Sequence, residues 1–311
     1  MRPAPKIRHA VIVAVVLPQL TAPALAQPAD TSVQATPQAN QAAEVEYAPT
    51  PTDLAELLGE GGVETVDLDF YLSVTATNDN PNVPAPEPTV LHWRVRHVEG
   101  GIAFYTGREA SGGYRAHEEQ VYSADGEFVS AQSETARQGS VATIEAVRDG
   151  DEVRVVNRYT AAGTINEPSE ETFPYRRVED ALPSCWMPLA FAYQLRAGHE
   201  AFEMRFSEGL DDGDWRMIAV MRAQDVGTEA VEIGGETFQA HVLMITQTVE
   251  MVGEPPEGLP INRANRPVQE MLWHVLEDGT IVRMRMEGEG FAMQADAVTA
   301  EAAAALVESF E

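Results

Sequence analysis

The run Val231–Met251, VEIGGETFQAHVLMITQTVEM, decides how this chain is read. The Gly234-Gly235 pair is two-residue hairpin chemistry, flanked on both sides by residues that favour extended backbone. Beyond the turn the pattern is two-sided. Val242 and Met244 fall on one face of a strand, and Leu243 and Ile245 on the other. A strand with apolar side chains on both faces belongs to a sheet covered on both sides. The preceding segment repeats the arrangement, with Trp215, Met217, Ala219 and Met221 opposed to Ile218 and Val220.

Working outward, strands are expected at 199–206, 214–226, 228–233, 236–252, 268–277 and 280–294, with Asp278-Gly279 marking another hairpin. Toward the N-terminus the period remains two. Val66, Leu68, Phe70, Leu72 and Val74 alternate with Asp67, Asp69, Tyr71 and Ser73. More strands follow at 89–98, 102–107, 117–123, 127–136, 140–148 and 151–160, broken by Gly100-Gly101, Asp125-Gly126 and Asp149-Gly150. The interruption is EDALPSCWMPLAFAYQLRAG, residues 179–198, where Pro188 suits a helix start and Gly198 its end. Asp53 is expected to cap a short helix through Leu58, ended by Gly59. A C-terminal helix is expected from about Asp296. The fold class is therefore mainly β: a large curved antiparallel sheet, either an open half-barrel or two packed sheets, with an inserted helix near 184–197 and a C-terminal helix.

The run quoted above and LWHVLEDGTIVRMRMEG, residues 272–288, resemble the long hairpins of exported bacterial half-barrel domains, a group that includes lipoprotein-carrier-like proteins. The resemblance spans about 199–294. It implies a strongly curved antiparallel sheet and assigns no binding residue.

Residues 1–26 carry Arg2, Lys6 and Arg8, an apolar run from Ala10 to Leu17, and a small-x-small end at Ala24-Leu25-Ala26. These are the three parts of a secretory signal, and the apolar run is about half of what a bilayer-spanning helix needs. Export to the periplasm or medium is expected, with no integral membrane segment after cleavage. Residues 27–52 are rich in Gln, Ala, Pro and Thr and read as a disordered linker. Residues 53–311 then form a single β-rich domain, or two lobes meeting near 179–198.

Loss of the three positive charges of the signal takes the formal charge from −28 to −31. Nucleic acid is a poor partner for such a chain, because phosphate binding relies on basic contacts. Cys185 is the sole cysteine, so no disulfide can form within the chain.

Candidate chemistry is sparse. Ser184-Cys185-Trp186 superficially resembles the nucleophile segment of papain-like proteases. Leu182-Pro183 replace that family's upstream Cys and Gly, and too few residues follow to supply its histidine and asparagine. Cys185 reads as a buried free thiol, with a redox or intermolecular thiol as the alternative. Asn78-Asp79-Asn80-Pro81-Asn82 and Asp211-Asp212-Gly213-Asp214 lack the ligand spacing of known calcium loops and read as turns. His92, His97, His117, His199, His241 and His274 form neither H-x-H nor H-E-x-x-H. No catalytic residue, cofactor or metal is expected. The late-strand methionines offer an adaptable apolar surface, with Met244, Met284 and Met286 expected to face a ligand. The functional expectation is an exported, non-enzymatic envelope protein holding an apolar or amphiphilic small molecule on its curved sheet. The alternative is a structural or assembly protein working through contacts with another envelope protein.

Overall fold

The computed structural model describes residues 45–78, 87–161, 164–176, 179–207, 216–253, 269–288 and 291–310. The secretory segment 1–26, linker residues 27–44, the Asp79–Asn82 and Asp211–Asp214 stretches expected as turns, and Trp215 lie outside them.

Alternation in the sequence becomes a meander. β2 (Asp67–Asn78), β3 (Thr89–Val98), β4 (Gly101–Ala110), β5 (Tyr114–Ser123), β6 (Phe128–Arg137), β7 (Ser140–Asp149) and β8 (Glu152–Ala161) pair antiparallel in chain order. The short β9 (Thr164–Ile165) and then β10 (Ser169–Pro174) both return along β8. A second run begins with β11 (Leu182–Pro183) and, after a helix, β12 (Ala201–Ser207). It continues through β13 (Arg216–Ile233), β14 (Glu236–Val252), β15 (Gln269–Val275), β16 (Ile281–Gly288) and β17 (Phe291–Val298). The two runs join where β17 pairs with β2, from Phe291 opposite Asn78 to Val298 opposite Tyr71. At the far edge β11 and β1 (Ala48–Pro49) both run parallel to β12. Among the described residues the product is one 17-stranded sheet, curved and not closed into a barrel.

Several boundaries differ from expectation. The strands expected at 214–226 and 228–233 are one strand, β13, irregular between Asp225 and Thr228, where the Asp225 carboxylate accepts from the Gly227 amide at 3.0 Å. The stretch 280–294 divides into β16 and β17. The terminal helix α3 (Ala300–Glu308) begins later than Asp296, because Asp296 still pairs with Ser73 and Thr299 caps the helix through the Ala302 amide. The end of the expected linker is tied down. Ala48 and Pro49 pair with β12, and Thr50 hydrogen-bonds the Glu203 carbonyl, so ordered structure begins before Asp53. α1 (Leu54–Leu58) forms as expected, capped by the Asp53 side chain on the Glu56 amide and ended by Gly59.

The concave side of the sheet is filled largely by the insertion. A one-turn 3-10 segment, Ser184–Trp186, runs into α2 (Met187–Arg196), and eight of the ten α2 side chains are buried. Trp186 packs on Phe104 of β4 and Tyr122 of β5, while Phe191 meets Phe202 of β12 and Trp273 of β15. The helix therefore touches both arms of the sheet, and one contiguous core runs from β2 through β17 around it. Gln194, buried at the helix end, donates to the Pro49 carbonyl and to Thr50 Oγ1, and Arg196 donates to the Leu57 carbonyl. These bonds lock α1, β1 and α2 together.

On the outer face Ile218, Val220 and Ala181 make a separate small cluster, so β13 is covered on both faces as its sequence implies. The same holds less well for β14, where Met244 is exposed.

Candidate functional site

The concave face has two halves of opposite character. Over β12–β17 and β2–β3 it is built from Met, Phe, Leu and Trp and is packed against α2. Met284 and Met286 belong there, with 1% and 2% of their surface exposed. Met244 sits on the opposite face, 37% exposed, because Ile245 beside it in the strand turns into the core. The three methionines therefore do not share a surface. Strand registry shows why Met244, Met284 and Met286 are not brought onto one ligand-facing surface: Met284 aligns with Trp273 and Leu243 of the core, and Met244 with Leu272 and Arg285 of the other face.

Over β4–β8 the concave face changes along the strands. Strand registry aligns its side chains in rows. The deepest row, Phe104, Gln120, Ala131, Ala146 and Val155, is largely apolar and buried. The next, Thr106, Glu118, Ser133, Ile144 and Asn157, is mixed, buried at β4 and β5 and half-buried at β6–β8. The third, Arg108, Ala116, Thr135, Ala142 and Tyr159, is more open still. Thr106, Glu118 and Ala116 are buried, while Arg108 and the β6–β8 members of these rows are half-buried or exposed. An apolar floor thus rises to a polar, accessible rim.

At the junction of the insertion and β5 lies a buried polar chain. The Gln120 amide donates to Glu118 Oε1. Tyr122 OH donates to Gln120 Oε1 at 2.7 Å, and Cys185 Sγ reaches the same oxygen at 3.5 Å. Ser184 Oγ and Trp186 Nε1 are buried beside this chain, with no hydrogen-bond partner among the described residues. Burial pushes the Glu118 carboxyl up to about 7, partly offset by the Gln120 amide. Burial also drives the Cys185 thiol and the Tyr122 phenol well above their ordinary values; Glu118 adds to both shifts and Cys185 to that of Tyr122, while the Tyr122 hydroxyl partly offsets the rise at Cys185. Cys185 is a free, buried thiol, and its environment disfavours the thiolate that nucleophilic chemistry requires.

Among the described residues no group of three or more His, Cys, Asp and Glu could hold a metal ion. His92 is held by Asp69 at 2.7 Å and stacked on Tyr71, and His241 lies 2.6 Å from Asp225. His92 faces outward from β3, whereas His241 is in register with Val275 of the core and lies on the inner-face side of β14.

Glu118, Gln120, Thr106 and Arg108 were not singled out by the sequence reading. The available signal was in β5 itself. YRAHEEQVYS has a strand's length but no apolar face, so whichever side turned inward had to bury polar groups.

No protein-family model matches the chain, and no curated protein matches it either. Among solved structures, the chain is similar to a beta-barrel-like protein of a domain of unknown function, DUF1849, from Brucella abortus, at 12% identity and a TM-score of 0.42, over 76% of this chain and 98% of that one.

Proposed function

We propose that this is an exported, non-enzymatic binding protein of the cell envelope that holds an amphiphilic molecule on the concave face of its sheet, over β4–β8. The observation that carries the reading is the inner face of β6–β8, where apolar Ala142, Ile144 and Tyr159 lie half-buried or exposed among polar Ser133, Thr135 and Asn157. An amphiphile needs such a mixed surface, since each buried CH₂ contributes about 0.8 kcal/mol while its head must stay hydrogen-bonded. The secretory pattern of residues 1–26 supports the location.

Native mass spectrometry of protein purified from its own compartment, with organic extraction, tests this. A stoichiometric co-purifying amphiphile is expected. A clean apo mass, with no uptake from an envelope-lipid extract, would overturn the reading. It would favour the assembly role, for which Val129 and Val147, 42% and 54% exposed on the outer face of β6 and β7, are the contact candidates.

A further inference from the structure

The chain carries 49 acidic residues against 21 Lys and Arg, so an arginine without an acidic partner needs an explanation. Several outward-facing arginines find one. Arg96 meets Glu119 at 3.0 Å, Arg158 meets Glu145 at 2.7 Å, and Arg222 meets Glu203 at 2.8 Å. Arg108 does not. It alternates with buried Phe104 and Thr106 and so projects from the concave face, where its lateral neighbours are Leu91 and Ala116. Its guanidinium lies 5.4 Å over the Tyr114 ring, its Nε is buried without a partner, and it pairs with no described carboxylate. The acid closest in registry, Glu118, bonds Gln120 instead.

A half-buried guanidinium, steered by an aromatic face and lacking a counter-ion, is arranged to receive one. Resting on the binding reading above, we infer that Arg108 is the headgroup receptor of the concave site. The ligand is then an anionic amphiphile whose carboxylate or phosphate docks on Arg108 while its chain runs across β6–β8 over the half-buried Ala142 and Ile144 and the exposed Tyr159. Thr106, two residues from Arg108 along the same strand and on the same face, places a hydroxyl beside it. The overall negative charge of the protein then works as a filter, repelling anions that lack a chain to bury.

Titration calorimetry on the full chain separates the possibilities, using dodecanoate, dodecyl phosphate, dodecanol, acetate and inorganic phosphate. The expected result is saturable binding of a C12 anion, at least about ten-fold tighter than dodecanol, a difference of the size a charge-assisted contact produces. Arg108→Gln should erase that preference and Arg108→Lys should keep most of it. Arg94→Gln should leave it unchanged, since Arg94 stacks on Tyr105 on the outer face, its Nε likewise unpartnered. Equal binding of dodecanol and the C12 anions overturns the Arg108 assignment and leaves the binding reading standing. So does an Arg94→Gln loss as large as that of Arg108→Gln. Acetate or phosphate binding as tightly as their C12 counterparts, or no binding of any probe, overturns both. If Arg108→Gln does not fold, the wild-type preference between dodecanoate and dodecanol decides the matter.

Discussion

Glu118 shows how far burial governs a single residue. Its folded-state carboxyl, at about 7, stands above the ordinary 4.5, so the native state binds more protons than the unfolded chain between those values. Stability should therefore be fullest near pH 4.5, fall as the pH rises toward 7, and level off above it. The contribution is at most about 3 kcal/mol. Glu118→Gln can still accept from the Gln120 amide and should remove this part of the pH dependence. Urea denaturation at pH 5 and pH 8 checks it: the variant gains more over wild type at pH 8 than at pH 5, and an equal difference at both would contradict a buried, uncharged Glu118. Cys185, in the same chain of contacts, should react with iodoacetamide far more slowly in the native protein than in denaturant. Fast native labelling would mean that the insertion opens away from β5.

At the scale of elements, α2 is held by its ends. Gly279, in the turn between β15 and β16, approaches the start of the helix so closely that a Cβ there would lie 1.9 Å from the Pro188 carbonyl oxygen. Its φ of +90° adds strain for any other residue. Gly279→Ala should cost roughly 2–4 kcal/mol, combining left-handed strain with overpacking. Gly150 in the β7–β8 turn also has positive φ but meets nothing within 4 Å, so Gly150→Ala should cost only about 1 kcal/mol. Denaturant midpoints of the two variants provide the test. Equal losses would mean that the β15–β16 turn does not brace the helix. The comparison matters for function because the same helix fills the apolar half of the concave face, while parts of the β6–β8 face stay half-buried or exposed.

For the whole molecule, a formal charge of −28 acts on a core that no disulfide reinforces. Raising salt from about 20 mM to about 500 mM shortens the screening length from roughly 20 Å to roughly 4 Å. The melting temperature should rise by several degrees, measured at pH 8, where the carboxylates are ionised. A flat or falling value would mean that ion pairs such as Arg283–Asp296, at 2.7 Å, outweigh the self-repulsion. Much of this architecture is legible in the residues one at a time. The alternation of Leu68, Phe70 and Leu72, the Gly234-Gly235 and Asp278-Gly279 turns, and the Asp53 and Pro188 helix starts are local signals, and they specify strands, hairpins and helices by themselves. The sequence alone thus determined a β-rich protein with one inserted and one terminal helix. Only the tertiary structure decided that β17 closes onto β2, that α2 lies within the curve of the sheet, and that Met244 and Met284 face opposite ways. It also decided that Glu118 is buried while Arg108 stands unpaired at the rim. The reason is physical: a strand's period tells which residues share a face, but which face turns inward, and which distant strand pairs with it, depends on burial summed over the whole sheet.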